Sequence, residues 1–375
     1  MRLLWLDLKS FRNLDGQRVH LDLRYNLLTG KNGQGKTNIL EAIGYLGTLK
    51  SFRSATRAEM IRHGGTTCRV AGGIQNGEVN ATAAFALTPQ GRALFLDDRK
   101  IVSQEEYLRE VAVVSFIPED VGLVTGSPST RRKTVDRAVF DTRPTYVREY
   151  RQYLRVLRHR NALLRRNSAS STELESWSES FAKAAAALVK RRQDLLSSLN
   201  PEMKKMGRIL GFAGDLFLRY VGSMDLSGPD AQEMGIVSSI LHKLKEANKR
   251  ERETGHTTVG PHRDNILFVA RQDKGGQTGL DLGRYGSQGQ KRVAVLAFKL
   301  ALARVIRQTR GVWPLILLDD VASELDPARR ENLGKLVRNM GAQFIITTTS
   351  EESGFLSREE GSVFNVDNGS VTQLT

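Results

Sequence analysis

Gly30-Lys31-Asn32-Gly33-Gln34-Gly35-Lys36-Thr37 is the stretch that decides how this 375-residue chain is read. It fits the phosphate-loop pattern GxxxxGK(S/T), known as Walker A, and its flanks give the pattern meaning. Asn26-Leu27-Leu28-Thr29 before it has strand character, and residues 38–49 after it place Ile39, Leu40, Ile43 and Leu46 on one helical face. Glycines let backbone N–H groups close around phosphates, and the following helix turns its positive end toward them. In such a loop Lys36 reaches the β and γ oxygens of ATP and Thr37 ligates Mg2+, with Asn38 completing the nucleotide-binding run. The plainer alternative, a glycine-rich turn, leaves both flanking elements without a purpose.

A second segment answers the first. Leu315-Ile316-Leu317-Leu318-Asp319-Asp320 is an apolar strand ending in two carboxylates, the form of a Walker B site. Asp319 is expected in the magnesium shell. Asp320 stands where a carboxylate can orient or deprotonate an attacking water, provided it lies within hydrogen-bond reach, so Lys36 and Asp320 are the expected catalytic pair. The alternative is a solvent-exposed strand end.

A third segment, Tyr285-Gly286-Ser287-Gln288-Gly289-Gln290-Lys291-Arg292, opens a helix expected over 293–306. A serine hydroxyl, glycine N–H groups and a helix N-terminus make a good cap for a γ-phosphate, against the alternative of an ordinary capped helix.

Around these motifs the pattern alternates between strand and helix. Leu4, Leu6 and Leu8, then Val19, Leu21 and Leu23, recur at strand spacing. Asn76-Gly77 predicts a tight hairpin between Arg69-Val70-Ala71 and the run 82–87. Ser103 with Glu106 predicts a capping box, and Val111 to Ile117 a buried strand ending at Pro118. From Pro128 the rhythm turns helical through Val147, Tyr150, Leu154, Leu157 and Leu164, then again through Trp177, Phe181, Ala184, Leu188 and Leu195. The two helices are expected to pair as a short antiparallel hairpin across the serine-rich turn 167–172. The expected divisions are 1–127 (Walker A and a β-rich subdomain), 128–254 (a helical insertion lobe) and 255–375 (signature, Walker B and D-loop).

The chain has 56 Lys and Arg against 41 Asp and Glu, a formal net charge of +15. Arginine dominates that excess, and its planar fork binds phosphate, so a polyanion such as DNA is the natural partner. The densest run lies in the helical lobe and includes Arg131, Arg132, Arg148, Arg151, Arg155 and Arg158. The last four recur at three-four spacing, forming a stripe that would follow a phosphate backbone without reading sequence, unless it is simply a solvated face. A single cysteine, Cys68, excludes an internal disulfide, and Lys299 and Arg304 interrupt the most apolar segment. The expected compartment is the cytoplasm, with no membrane role.

These motifs together resemble the RecF branch of the ABC-type ATPases, next to the chromosome-maintenance ATPases. Ser287-Gln288-Gly289-Gln290 is similar to the ABC signature, and Ser323-Glu324-Leu325-Asp326 looks like the D-loop. Less generic segments sit in family order: Leu8-Lys9-Ser10-Phe11-Arg12-Asn13, Asn38-Ile39-Leu40-Glu41-Ala42, Phe116-Ile117-Pro118-Glu119-Asp120, and Val259-Gly260-Pro261-His262-Arg263-Asp264. The implied fold is α/β: an ABC-type P-loop ATPase head with a β-rich subdomain and an inserted helical lobe containing the hairpin.

The resemblance implies an ATP-dependent homodimer, each signature acting in trans on the partner's ATP. It further implies a DNA clamp on single-stranded, duplex or gapped DNA, and work with RecR, RecO and RecA in fork recovery and the SOS response. Thr347-Thr348-Thr349-Ser350 stands where transporter ATPases carry a switch histidine, and a hydroxyl there could touch the phosphate. Asp320 replaces the longer glutamate of most ABC proteins, which implies slow, DNA-dependent hydrolysis to ADP and phosphate. An SMC-like structural ATPase would need hundreds of residues of heptads. A non-hydrolysing DNA-binding module would follow if Asp320 were misplaced.

Overall fold

The computed structural model describes residues 1–166, 170–222, 233–271, 279–349 and 361–374. Residues 167–169 of the expected serine-rich turn, and Ser350, lie outside the described residues. The chain falls into two compact units. The first comprises Met1–Val121, Glu202–Asp215 and Ser287–Thr375, and the second Gly122–Pro201 and Leu216–Gly286.

At the centre of the first unit is a sheet in the order Ser370–Leu374, Ser362–Asp367, Tyr25–Thr29, Phe344–Thr347, Leu315–Leu318, Val113–Phe116. All neighbours run parallel except Ser370–Leu374, which closes one edge as an antiparallel partner of Ser362–Asp367. Parallel strands covered on both faces are written as continuous apolar runs. Accordingly Leu315, Ile316, Leu317, Leu318, Phe344, Ile345 and Ile346 are each at most 1% exposed. The register sets Thr347 beside Leu28 and Leu318 beside Ile346. The phosphate loop, Thr347 and the Asp319-Asp320 pair therefore leave adjacent strands at the same carboxyl edge, where open α/β sheets form their ligand crevice.

The helix after the loop spans Lys36–Thr48, opening earlier than the expected 38–49 because Gly35 (φ 119) turns directly into it. A Cβ at Gly47 would overlap the Val113 side chain, so this helix lies close against strand Val113–Phe116. The same unit holds an antiparallel sheet in the order Gln17–His20, Arg2–Lys9, Cys68–Asn76, Val79–Leu87, Arg92–Leu96, Arg99–Ile101. Its expected hairpin turns at Asn76-Gly77, with Val70 opposite Phe85. Ser103 accepts the Glu106 amide at 3.3 Å, the forward half of the expected capping box.

In the second unit, Tyr146–Leu164 faces the early part of Ser171–Ile209. Glu149 meets Arg191, Tyr153 meets Phe181, and His159 stacks on Trp177 at 4.7 Å, so numbers rise on one helix as they fall on the other. That is the antiparallel hairpin. Its buried face differs from the one expected: Tyr146, Tyr153, Val156, Arg160 and Leu163 are buried, whereas Leu154 is exposed. An arginine occupies a core position because Glu251 meets it there at 2.7 Å.

The unit also contains a sheet in the order Leu280–Asp281, Asn265–Arg271, Asp215–Val221. This sheet explains why the second unit reaches Gly286, beyond the 128–254 lobe expected from helical rhythm. Strand Asn265–Arg271 joins a sheet with Asp215–Val221, a pairing invisible to local periodicity.

Candidate functional site

A cleft of about 1370 Å³ opens at the carboxyl edge of the parallel sheet, lined by Lys36, Thr37, Asp319, Asp320 and Thr349 among others. Its floor is prepared for an anion. Gly35 precedes helix Lys36–Thr48 without any side chain capping the first turn, so those N–H groups are available. The loop needs its glycines: at Gly30 (φ 134) a Cβ would run into the Val366 carbonyl, and Gly35 is held at φ 119. Lys36 Nζ donates to the Gly30 and Lys31 carbonyls, at 2.5 and 2.8 Å, folding the cation back over its own loop. Burial lowers the Lys36 pKa, and the carboxylates of Asp320 and Asp319 oppose that shift.

Loop and strand end meet directly. Thr37 Oγ1 donates to Asp319 Oδ1 at 3.0 Å, and Thr347 Oγ1 donates to the same oxygen at 2.6 Å. Burial raises the Asp319 pKa, while the hydroxyls of Thr347 and Thr37 hold it down. Thr347 also accepts the Asp320 amide at 2.9 Å. Its hydroxyl is thus used in both directions within the site. Of the expected run 347–350 it is Thr349 that lines the cleft beside Thr347.

Asp320 adopts a left-handed backbone (φ 46), and its Oδ1 is buried without a hydrogen-bond partner. A buried carboxylate oxygen left unpaired is costly unless something else completes it. Among the described residues no group of three or more His, Cys, Asp or Glu could hold a metal ion alone. A magnesium ion here would therefore be held by Thr37 and Asp319 jointly with phosphate oxygens and water, the usual habit of that ion.

Asn38 and several residues given no role from sequence complete the wall. Arg12 forms a two-pronged contact with buried Glu41, at 2.5 and 2.9 Å, and Ser51 donates to the same carboxylate at 2.5 Å. Arg53 donates to Asn38 Oδ1 at 2.8 Å, and Asn38 donates to Asn13 at 2.7 Å. Gln34 accepts the Asn368 amide at 2.7 Å, tying the loop to the chain after strand Ser362–Asp367. Asn32, Gly33, Arg62, His63 and Glu119 also face the cleft. The hint was present in segments 8–13, 38–42 and 116–120, whose family order had no chemistry attached.

Ser287, Gln288, Gly289 and Gln290 are absent from the cleft wall. Ser287 caps helix Gln288–Arg310 through a capping box: its hydroxyl accepts the Gln290 amide at 3.2 Å and Gln290 Oε1 accepts the Ser287 amide at 2.8 Å. The helix behind is buried from Val293 to Phe298 without a break, so its exposed tip is anchored in the core. Arg292 on that helix pairs with Glu324 at 2.9 Å. Burial raises the Glu324 pKa against that arginine. Ser323 donates to the Asp320 carbonyl at 2.9 Å, and Asp326 caps helix Pro327–Asn339 through the Arg329 amide.

In the second unit the arginines divide into two groups. Arg131 donates to Asn265 Oδ1 and the Gly126 carbonyl, and Arg132 to the Asp264 carbonyl, so the structure spends both on the fold. Arg148, Arg151, Arg155 and Arg158 are exposed along Tyr146–Leu164. His262 is a structural hub. Its Nε2 must donate to the Thr257 carbonyl (3.0 Å), which leaves Nδ1 to accept from the Tyr153 hydroxyl (2.6 Å).

Burial, then Arg263 and Arg132, hold the His262 pKa below its ordinary 6.5 despite the Thr257 bond. The fold thus prefers the neutral ring. Its contribution is full above the unfolded pKa near 6.5 and is lost as pH falls from there toward the lower folded value. The thermal midpoint is expected to drop on acidification from about pH 7.5 to about 5.5, more steeply than in a His262→Gln variant. Parallel slopes in calorimetry would remove His262 from the account.

The family model described as RecF/RecN/SMC N terminal domain matches residues 2–372. The DNA replication and repair protein RecF of Geotalea uraniireducens is 36% identical over 374 residues, covering 99% of this chain and 100% of that protein. A solved structure of the recombination mediator protein RecF with ATP, in the RecFOR pathway, is similar at a TM-score of 0.87 and 29% identity, covering 100% of this chain and 98% of that one. An Smc head bound to the C-winged helix domain of ScpA shares the fold at a TM-score of 0.59 and 17% identity, over 100% and 98% of the two chains. With this cleft and these relatives, the chain belongs to the RecF/RecN/SMC family of ATPase heads and, within it, to the RecF DNA replication and repair proteins.

Proposed function

We propose that this chain is an ATP-driven DNA clamp whose two heads close on each other's nucleotides and reopen on slow hydrolysis. The observation that carries the reading is the direct bond from Thr37 to Asp319, which brings the phosphate loop and the strand-end carboxylates into one site. The residues fit ATP and Mg2+: the first helical turn is uncapped, Lys36 rests on loop carbonyls that phosphate would replace, and Asp320 Oδ1 awaits a partner. Thr37 and Asp319 would hold the metal, which when bound neutralises charge on the β and γ oxygens. Lys36 binds the γ end, and Asp320 positions or deprotonates water.

Ser287 to Gln290 lie away from their own cleft, at an exposed helix tip, which suits a cap for the triphosphate of a second head. Ser323 and Asp326 fall on the loop tied to that helix by Arg292–Glu324. The exposed arginines of Tyr146–Leu164 supply sequence-independent contacts to DNA, single-stranded, duplex or gapped. The solved relative is a recombination mediator of the RecFOR pathway. On that ground the chain works with RecO and RecR, supports RecA loading at stalled forks and acts in the cytoplasm. Among the described residues no helix is long and apolar enough to cross a membrane.

Sedimentation velocity with and without ATP tests this reading. Saturating ATP is expected to convert monomer to dimer, and Ser287→Arg to abolish the conversion while fluorescent nucleotide still binds. A protein that stays monomeric at saturating ATP would refute the clamp.

A further inference from the structure

The second unit holds a groove of about 700 Å³ lined by Lys243, Ala247, Arg250, Thr254, His256, Thr258, Val259 and Arg263, with Glu246 as its carboxylate. We propose that this groove is a phosphate-binding site for the backbone of DNA, separate from the arginine stripe of Tyr146–Leu164. The inference rests on the DNA-clamp reading and adds to it a specific seat for the strand.

The groove is built where helix Glu233–Thr254 ends and the loop toward strand Asn265–Arg271 begins. Lys243 and Arg250 come from the helix and Arg263 from the loop, so cations converge from separate segments. The helix dipole accounts for a basic residue such as Arg252 in the last turn, but not for Arg263, which comes from the loop.

Partnering marks Arg250 and Arg263 as available for an outside anion. Three arginines of the same unit are consumed internally: Arg160 by Glu251, Arg192 by Asp136 and Arg191 by Glu149. Arg250 and Arg263 are exposed and form no ion pair among the described residues. The groove's own carboxylate, Glu246, lies on the His242 side at 3.6 Å. Buried Glu251, the other nearby acid, is closed off by Arg160 and by the Thr258 amide and hydroxyl, at 2.6 and 3.0 Å. The groove therefore presents positive charge.

Its lining favours a nucleic acid over an acidic protein segment. Protein interfaces depend on apolar or aromatic anchors seated in pockets, and here the apolar lining is Ala247 and the buried Val259. Arginine and lysine without base-reading geometry bind phosphate diesters irrespective of sequence.

The test is a salt titration of duplex and single-stranded DNA binding by the full chain with ATP, for the unsubstituted protein, Arg250→Ala/Arg263→Ala, and Arg151→Ala/Arg155→Ala. Each phosphate contact on duplex contributes about 0.9 to the slope of log K against log salt. The groove variant is expected to flatten the slope by about 2, additively with the stripe variant, at unchanged thermal midpoint and unchanged nucleotide binding. An unchanged slope for the groove variant alone, with the stripe variant affected, overturns the groove while sparing the clamp. No binding by the unsubstituted protein at low salt overturns both. Loss of polyglutamate binding with DNA binding intact would assign the groove to an acidic protein and also overturn the proposal.

Discussion

Asp320→Asn is expected to lower steady-state ATP turnover by about 100-fold or more while ATP still binds and still drives dimers. The substitution is nearly silent for structure. Asparagine tolerates the left-handed backbone at φ 46 as aspartate does, keeps the amide bond to Thr347, and has the same shape. What it removes is the ability of Oδ1, buried and unpaired, to accept a proton from water. Alanine would be a poorer choice, because it adds backbone strain to the lost carboxylate. Phosphate release under multiple turnover, read beside sedimentation, separates chemistry from assembly. Turnover within about threefold of the unsubstituted protein would leave Asp320 no part in proton transfer.

Glu251→Ala is expected to destabilise the second unit by about 3–5 kcal/mol, the usual cost of stranding one member of a buried ion pair. Arg160 is 1% exposed and Glu251 0%, so neither charge has water to fall back on. Glu251 also accepts the Thr258 amide and hydroxyl, and Arg160 donates to Thr257 and Ser178, so the pair joins both helices of the hairpin's neighbourhood to loop 256–263. Replacing both charges together, Arg160→Met with Glu251→Leu, is expected to recover much of the loss. Urea unfolding monitored at Trp177 follows this region. Equal stability of the single and double variants would show that the partnered hydroxyls, rather than the charges, carry the cost.

What the sequence made legible is what is written contiguously. The phosphate loop, the strand ending in Asp319-Asp320 and the serine-led helix each occupy a few consecutive residues, and their local chemistry is their function. The geometry that joins them comes from parallel pairing of Tyr25–Thr29, Phe344–Thr347 and Leu315–Leu318, more than 280 residues apart at the extremes. Apolar runs announce such strands without naming their neighbours. For the same reason the run 347–350, a hydroxyl of which could touch the phosphate, does not announce that Thr347 links Asp319 to the Asp320 amide.

Charge was legible as a sum, not as an assignment. A run of arginines shows its sign, but Arg131, Arg132 and Arg160 are satisfied by groups as distant as Asn265, Asp264 and Glu251. Arg250, which attracts no notice in the sequence, and Arg263, whose segment 259–264 suits a phosphate-facing role or a structural turn equally, both face a groove. The hairpin's buried face went astray at Leu154 because a buried arginine interrupts the apolar rhythm, and periodicity counts such a residue as solvent-facing.

The packing of helix Gln288–Arg310 limits how the molecule can respond to a mate. A rod gripped along its length has no freedom at one end, and Lys299 midway along it is locked at 2.9 Å to Asp120, next to Glu119 in the cleft wall. On the clamp reading, a push on the serine at the tip would be passed along the helix toward the wall of this head's own cleft.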